Sequence, residues 1–298
     1  MLLCPVCAHE LELGERMARC PAGHTFDRAR EGYFNLLRSS KSGDRTGDPK
    51  AAARSRRDFL DRGFYQILRD GLVGLVGELA GASPCAGGRS AAGRSVSERP
   101  AACPTAKVPD TTKLLDICCG EGYYTSALGG IEGVEAYGFD LSKEMVRLAA
   151  NRGGAVYFVA NMKAVPVADN SFDIATHLFA PFMECEFARV LAPGGTLITV
   201  IPGARHLLGL KEAVYDTPYL NDEKLPVTTQ LVLEGSRKLA GNVVLETAED
   251  IEAVFQMTPY YYRTSERDRA KLAGRTMLET PVEFVVGIYR KPLSAARP

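Results

Sequence analysis

From residue 113 onward the sequence alternates short apolar runs with helical stretches. The runs that have the composition of strands are KLLDICC, VEAYGFD, AVYFVAN, FDIATHLF and TLITVIP. Between them, residues 143–152 and 182–191 have the apolar spacing of helices. Strands that alternate with helices predict an α/β fold in which helices cover both faces of a doubly wound, mostly parallel sheet. Ligands of such folds bind at the carboxyl ends of the strands.

The turn after the first of these strands has the features of a cofactor-binding loop. In LDICCGEGYYTSAL, an apolar strand leads through Asp116 to Gly120, Glu121 and Gly122. Glycines let the backbone approach a ligand closely, because no Cβ lies in between. Asp140 ends the second strand, where its carboxylate can accept hydrogen bonds from ribose hydroxyls.

Other nucleotide cofactors fit this turn less well. The chain contains no G-x-x-x-x-G-K-[ST] segment, which a nucleoside triphosphate would require. Glu121 stands in the turn where a pyrophosphate needs neutral amides, so NAD is an open but poorer interpretation.

The N-terminal segment carries a Cys/His pattern that is typical of a zinc site. Cys4 and Cys7 form a CxxC pair, and Cys20 and His24 follow as CxxxH. Three thiolates and one imidazole complete a tetrahedron around Zn2+, so the pattern predicts one structural zinc ion with no open coordination position. The alternative is two disulfides or unconnected thiols. We expect the metal to hold together a module over residues 1–37, which is too small to bury a core of its own.

A run of positive charge follows this module. Lys and Arg total 36 in the chain, as do Asp and Glu, which excludes a globally basic protein. Between Arg38 and Arg57, however, basic residues outnumber acidic ones by seven to two. Such a run is commonly a solvated face. Beside a zinc module it is also a candidate for contact with RNA phosphates, through Arg54, Arg56 and Arg57.

Composition predicts how the rest of the chain is divided. Residues 64–80 space their apolar side chains at helical intervals, so 38–82 is expected to be a basic linker followed by a helix. Residues 83–107 are rich in Gly, Ala, Ser, Arg and Pro and are expected to be a disordered insertion, which leaves 108–298 for the α/β domain. No secretory signal and no membrane-spanning apolar stretch are recognisable, so we expect a cytoplasmic protein without membrane contact.

The order of these motifs resembles that of a known protein family. DICCGEG, the acidic end of the second strand, SFDIA and LAPGG resemble the class I, Rossmann-like methyltransferases that use S-adenosylmethionine. From CPVC and CPAGHTFDRAREGYFNLL to FAPF and PGARHLLGLKEAVYD, the chain outside residues 83–107 resembles the RlmA (RrmA) family. That resemblance implies methylation of N1 of a guanine in a 23S rRNA hairpin, with S-adenosylmethionine as the cofactor. It also implies a homodimer and, for some members, macrolide resistance.

The resemblance further assigns residues to the two sites. It places zinc on Cys4, Cys7, Cys20 and His24, and it places S-adenosylmethionine against Tyr65, Tyr124, Thr125 and His206. Asn161 replaces the acidic residue that often follows the third strand, and its amide oxygen can still accept from the adenine amino group. Cys118 stands where methyltransferases usually have their first glycine, so a slightly relaxed approach of the backbone to the methionine is expected.

The segment FAPFMECE, after the fourth strand, is expected to lie beside the transferred methyl group. Because the sulfonium methyl is already activated, the enzyme mainly aligns guanine N1, which must also lose its proton. Phe179 and Phe182 are candidates to stack on a base held in an unpaired loop or flipped from its helix, although both are equally candidates for core packing. His177 and Glu184 are candidate proton acceptors, and no base is assigned.

Three functional interpretations follow from the sequence. The first is an RNA methyltransferase whose zinc module and basic segment hold a hairpin. The second is a small-molecule methyltransferase with a structural zinc module. The third is a noncatalytic zinc-finger nucleic-acid binder, which would leave the cofactor-site residues without a purpose.

Overall fold

The computed structural model describes residues 1–37, 50–81 and 111–293. The predicted insertion over 83–107 and the first part of the basic run, which includes Arg38, Lys41 and Arg45, lie outside the described residues.

A mostly parallel sheet runs through the centre of the described structure. Its strands and those of the N-terminal segment are β1 (Glu12–Leu13), β2 (Met17–Arg19), β3 (Thr25–Asp27), β4 (Phe34–Asn35), β5 (Thr112–Ile117), β6 (Val134–Asp140), β7 (Val156–Val159), β8 (Phe172–Leu178), β9 (Leu191–Pro202), β10 (Val232–Leu245) and β11 (Leu278–Arg290). The central sheet has the order β10-β11-β9-β8-β5-β6-β7-β4. All its neighbours pair in parallel except β11, which is antiparallel to both β9 and β10. The predicted doubly wound sheet is therefore confirmed.

Helices connect the strands and cover the sheet. They are α1 (Lys50–Asp61), α2 (Gln66–Leu79), α3 (Tyr123–Leu128), α4 (Lys143–Arg152), α5 (Glu184–Val190), α6 (Leu208–Val214), α7 (Ala248–Gln256) and α8 (Glu266–Arg269), with 3-10 turns at Tyr261–Arg263 and Ala270–Leu272. The helix predicted over 143–152 coincides with α4, whereas the one predicted from 182 begins at Glu184. The later start follows from Met183, whose φ of −131° and ψ of 80° are outside the helical region.

Two large hydrophobic cores lie on opposite faces of the sheet. Successive residues of β9 point to different cores, because side chains alternate along a strand: Leu197 packs in one and Ile198 in the other. Helix α1 contributes Phe59 to the second core, and α2 contributes Leu68. The predicted helix over 64–80 is thus present as α2, and the segment expected to include a linker forms part of this core from α1 onward.

The N-terminal segment packs on the first core, the one that contains Leu197. Strands β1, β2 and β3 form a separate antiparallel sheet, but Leu2 bridges to Val167 and the Leu3 amide donates to the Pro166 carbonyl at 2.7 Å. Strand β4 then joins the edge of the central sheet beside β7. The zinc module predicted over residues 1–37 therefore includes β4, which is a strand of the central sheet.

The five adjacent parallel strands β7, β6, β5, β8 and β9 end at one edge of the sheet. Their ends bring together the glycine turn, Asp140, Asn161, Phe179 and the turn 203–206. None of the helices in the described ranges is long and apolar enough to cross a bilayer.

Candidate active site

The turn after β5 has a backbone conformation that favours glycine. Gly120 has a φ of +56° and Gly122 a φ of +82°. A Cβ added at Gly122 would lie 2.8 Å from the Ala149 Cα, whereas a Cβ at Gly120 would meet no atom within 4 Å. Gly122 is therefore required by the packing of the turn against α4, while Gly120 faces the open space where a ligand can approach the backbone.

Cys118 adopts a glycine-like conformation without being glycine. Its φ is +58°, a region that costs a residue with a Cβ about 1 kcal/mol or more. Its Sγ lies 3.6 Å from the Met162 Sδ, and burial, followed by the charges of Asp140 and Asp116, raises the pKa of the thiol to about 12. A neutral thiol thus occupies the position where the sequence resemblance leads us to expect a glycine, and the relaxed approach of the backbone to the cofactor stays a prediction.

Asp116 and Thr125 support the turn from inside the protein. Asp116 is 2% exposed and accepts hydrogen bonds from Thr125 Oγ1 at 2.5 Å and from Thr176 Oγ1 at 2.8 Å. Burial is the main reason that its pKa rises to about 6. These bonds tie β5 to α3 and β8, so both predicted cofactor residues act on the turn through their side chains. Direct contact with a cofactor stays a prediction for both.

Glu121 is used in an ion-pair network behind the glycine turn. Its Oε2 accepts from Arg152 Nε at 2.6 Å, and Arg152 Nη1 lies 2.7 Å from Asp61 Oδ1. Burial raises the Glu121 pKa, and its Oε1 is buried without a hydrogen-bond partner in the described structure. The network joins the turn to α1 and α4, and the predicted cofactor contact of Glu121 remains untested.

Asp140 and Asn161 lie at the ends of neighbouring strands. Asp140 Oδ1 accepts from the Ser142 amide at 2.8 Å, and Asn161 Oδ1 accepts from the Lys163 amide at 2.9 Å. Both side chains are partly exposed at the sheet edge. A carboxylate and an amide in this order suit the ribose and the adenine of a nucleoside.

Tyr65 and His206 meet on the opposite side of the glycine turn. Tyr65 Oη lies 3.1 Å from His206 Nε2, and the Glu283 amide donates to His206 Nδ1 at 3.3 Å. Burial and then the charge of Lys211 lower the pKa of His206 to about 4. The neutral ring accepts at Nδ1, so it carries its hydrogen on Nε2 and donates to Tyr65. The hydroxyl hydrogen of Tyr65 therefore remains to be donated elsewhere.

Tyr124 adds a second hydroxyl to this region. Its Oη is buried without a hydrogen-bond partner in the described residues. Burial raises its pKa well above the ordinary value, and nearby Tyr65 adds to the effect. A buried hydroxyl without a partner is costly unless a ligand completes its bonding.

The two candidate stacking residues have different surroundings. Phe182 packs edge-on against buried Phe187, with ring centroids 5.1 Å apart. Phe179 is 45% exposed, and its φ of +57° holds the ring in an unusual position at the end of β8. Its centroid is 5.9 Å from that of Phe284, which in turn lies 4.8 Å from that of His206. Phe179 is therefore the exposed member of an aromatic surface beside the predicted cofactor residues.

The two candidate proton acceptors are already engaged. His177 is 2% exposed; its Nε2 donates to the Pro181 carbonyl at 3.2 Å, and its Nδ1 accepts from Thr199 Oγ1 at 3.0 Å. Glu184 Oε1 accepts from the backbone amides of Thr229 and Gln230, both at 2.5 Å. His177 thus holds the 179–181 turn and Glu184 holds a loop, so the structure supports neither as the base.

The four predicted zinc ligands form one cluster. Their ligand atoms all lie within 4.8 Å of one another. Cys7 Sγ is 3.6 Å from Cys20 Sγ, and His24 Nδ1 is 3.4 Å from Cys20 Sγ and 3.7 Å from Cys4 Sγ. Metal–ligand distances of about 2.3 Å for sulfur and about 2.0 Å for nitrogen give tetrahedral edges of roughly this length. The cysteines of the cluster are free thiols rather than disulfides, so the residues fit a structural zinc ion.

Lys211 is a residue of this region that the sequence interpretation missed. It lies on α6 and is only 1% exposed. Leu207, Leu210 and Val214 are buried at helical spacing around it, which places position 211 on the inner face of the helix. The signal was available in the sequence, because a lysine stands at a position where this spacing predicts an apolar residue.

Two family models match this chain, one at the N-terminal segment and one in the region of the parallel sheet. Residues 2–41 match the family model of the RlmA N-terminal zinc ribbon, and residues 115–199 match that of a methyltransferase domain. The second match places the glycine turn, Asp140 and Asn161 in a domain whose methyl donor is S-adenosylmethionine.

Relatives match over longer stretches. A 23S rRNA (guanine(748)-N(1))-methyltransferase from Streptomyces fradiae is 36% identical over 217 residues, which cover 72% of this chain and 67% of the relative. A relative from Micromonospora griseorubida, named for guanine-N1 methylation of 23S rRNA, is 35% identical and covers 70% and 68% of the two chains. A demethylmenaquinone methyltransferase from Bacillus licheniformis is 30% identical over 121 residues, which are 36% of this chain and 52% of the relative.

Proposed function

Since this chain belongs to the RlmA family of 23S rRNA (guanine-N1)-methyltransferases, we propose that it methylates N1 of a guanine in a 23S rRNA hairpin. The observation that carries this proposal is the presence of the RlmA zinc ribbon and the methyltransferase domain, in that order, in one chain. A 23S rRNA substrate places the enzyme in the cytoplasm. Macrolide resistance and a homodimer rest on the family resemblance alone.

The order of the strands supports one orientation of the cofactor. Asn161 follows β7, Asp140 ends β6, and the glycine turn follows β5. Asn161 and Asp140 would hold the adenosine, and His206 and Tyr65, which meet beyond the turn on the side of β8 and β9, would hold the other end of the cofactor. S-adenosylmethionine supplies an activated methyl group there, and the protein's residues align the acceptor with it.

Phe179 is the better candidate to hold the target base. It is exposed next to the aromatic surface that ends at His206, whereas Phe182 is used in the core. Base stacking on an aromatic side chain contributes about 1–3 kcal/mol per base. In a duplex the N1 of guanine is paired, so the base must be unpaired or flipped to reach this ring.

The RNA contacts are proposed for the zinc module and for α1. Leu13, Arg16, Met17 and Arg19 are exposed on β1, β2 and the turn between them, and Arg54 is exposed on α1. Arg57 is different, because its Nη1 donates to the Leu148 carbonyl at 3.2 Å and its Nε pairs with Asp61 Oδ2 at 3.6 Å. Of these two arginines, Arg54 is therefore the candidate phosphate contact.

Transfer of a labelled methyl group tests the proposal. Wild-type protein with labelled S-adenosylmethionine should methylate a 23S rRNA hairpin transcript and leave a demethylated quinone unlabelled. Gly120→Val is the negative control, because a branched side chain would fill the space beside the backbone of the turn.

The quinone is the appropriate competitor because of one specific match. A demethylmenaquinone methyltransferase is 30% identical to this chain over 121 residues, which favours a small-molecule substrate as the second candidate function. Label on the quinone but not on the RNA would establish that alternative and overturn the proposal.

A further inference from the structure

Lys211 is a buried lysine that forms no ion pair with any residue in the described ranges. Its Nζ donates to Asn221 Oδ1 at 2.6 Å and to the Tyr219 carbonyl at 3.1 Å, and it lies 4.2 Å from the centroid of the Tyr219 ring. No carboxylate of the described chain pairs with it. An ammonium removed from water loses favourable hydration, and neutral acceptors replace that only in part. A buried lysine at position 211 is therefore not explained by packing, because an apolar side chain would fill the same place without this cost.

Asn221 connects this ammonium to the turn that carries His206. Its Nδ2 donates to the Gly203 carbonyl at 2.9 Å and to the His206 carbonyl at 3.2 Å, and its backbone amide donates to the Ala204 carbonyl at 2.9 Å. Because Lys211 binds the amide oxygen, it fixes which end of the Asn221 side chain faces the turn. Removal of Lys211 would take away the hydrogen bond that orients the Asn221 side chain.

The positive charge also acts on the groups that face the predicted cofactor. His206 stays neutral because burial and the nearby charge of Lys211 disfavour a second positive charge. Its Nε2 hydrogen then points to Tyr65 Oη. Tyr65 is left to donate its own hydrogen, which suits an anionic acceptor such as a carboxylate.

We propose that Lys211 is a positioning residue for the amino-acid end of S-adenosylmethionine, and that its unpaired charge favours ligands that carry the methionine carboxylate. This inference rests on the proposed function and on the cofactor orientation that the strand order supports. Lys211 organises and polarises the site through Asn221, His206 and Tyr65. Tyr65 and His206 then contact the amino-acid end of the cofactor.

Two ligands that differ only at the amino-acid end test the proposal. S-adenosylhomocysteine carries the carboxylate, whereas 5′-methylthioadenosine lacks the amino-acid end altogether. Calorimetry should show that Lys211→Met and Lys211→Gln weaken S-adenosylhomocysteine binding by on the order of tenfold and leave 5′-methylthioadenosine binding close to that of the wild type. The Gln variant keeps an N–H donor for Asn221 and so isolates the charge.

Lys291 provides a matched control. Its Nζ donates to Asn170 Oδ1 at 2.6 Å and to the carbonyls of Ala188 and Leu191 at 2.6 and 2.7 Å. It thus has the same kind of neutral partners as Lys211, but at the end of the sheet away from the cofactor residues. Lys291→Met should leave the ratio of the two dissociation constants unchanged.

Two outcomes would overturn the proposal: equal losses for both ligands in the Lys211 variants, or no loss for either. If Lys211→Met fails to fold, the ratio in Lys211→Gln decides the question. A wild-type protein that binds S-adenosylhomocysteine but does not methylate rRNA would overturn the proposed function instead, because the binding ratio requires no RNA.

Discussion

The backbone amide of Gly120 donates a hydrogen bond of 3.1 Å to Asp140 Oδ2. The other oxygen of that carboxylate accepts from the Ser142 amide at 2.8 Å. One side chain thus anchors both the glycine turn after β5 and the start of α4, in addition to its predicted contact with the ribose.

Replacement of Asp140 should therefore affect folding as well as binding. Asp140→Ala leaves two backbone amides without an acceptor, so we expect the free energy of unfolding to fall by about 1–3 kcal/mol. S-adenosylhomocysteine affinity should fall roughly tenfold or more. Asp140→Asn keeps one acceptor oxygen and should recover stability better than affinity. Denaturant titration and calorimetry measure the two effects, and wild-type affinity in the Ala variant would remove Asp140 from the cofactor site.

Loss of the zinc ligands should destabilise more than the N-terminal segment. Cys4 and Phe34 pack in the same core as Phe139 of β6, so Cys4→Ser should abolish metal binding and lower the melting temperature of the whole protein. Metal analysis and thermal unfolding test this expectation. Cys185→Ser is the control, because Cys185 is an exposed free thiol outside the cluster. A zinc-free Cys4→Ser protein with the wild-type melting temperature would contradict the coupling.

Phe179 and Phe182 should separate RNA recognition from stability. Phe179→Ala removes an exposed ring and should lower kcat/KM for the hairpin roughly tenfold, with little change in the melting temperature. Phe182→Ala removes a packed ring and should destabilise the protein by about 2 kcal/mol or more. Steady-state kinetics and thermal unfolding distinguish the variants, and the reverse assignment would show that Phe182 holds the base.

Replacement of Arg54 should affect RNA binding, whereas replacement of Arg57 should affect stability. If exposed Arg54 contacts a phosphate, Arg54→Ala should reduce the slope of log affinity against log salt concentration by about 0.7 to 0.9. Arg57→Ala should instead lower stability, because it breaks the bond to the Leu148 carbonyl and the pair with Asp61. RNA binding measured over a salt series tests both, and an unchanged slope for Arg54→Ala would identify α1 as an ordinary solvated face.

Buried His177 should make the fold sensitive to mild acid. In the unfolded chain this residue protonates near pH 6.5, whereas burial lowers its pKa in the folded protein to about 4. The unfolded state therefore binds more protons between these values, and stability falls as the pH decreases from 6.5 to 4 by about 3 kcal/mol for this residue.

His177→Gln isolates this contribution. His206 titrates in the same direction, and Asp116, whose pKa is raised to about 6, in the opposite one. The difference in stability between the wild type and His177→Gln removes both of these effects. Unfolding titrations at several pH values should show a wild-type advantage that shrinks below pH 6.5, and a constant difference would contradict the buried neutral state.

Local sequence patterns were sufficient for the metal cluster and for the five parallel strands that carry the site, whereas the other three strands of the sheet, β4, β10 and β11, were not predicted. The period of apolar residues determines strands and helices directly, and the ends of parallel strands must meet at one edge, which is why Gly120, Asp140 and Asn161 could be grouped. The spacing of Cys4, Cys7, Cys20 and His24 likewise predicted the cluster. The prediction of individual cofactor contacts remains open.

Side-chain hydrogen bonds between residues that are far apart in the sequence could not be predicted from local patterns. Nothing near His177 in the sequence shows that Thr199 occupies its Nδ1, or that Glu184 caps a loop more than forty residues away. The role of Lys211 could not be predicted for the same reason. It depends on Asn221 and the 203–206 turn, which only the folded chain brings together.

The most direct test of the central claim is the position of the transferred methyl group on the RNA. After incubation with the wild-type protein and S-adenosylmethionine, the 23S rRNA hairpin should be digested to nucleosides and separated by mass spectrometry against methylguanosine standards. The account predicts 1-methylguanosine, and a primer-extension stop at a single guanine in an unpaired part of the hairpin. Methylation at N2 or N7 of guanine, or of another base, would contradict it.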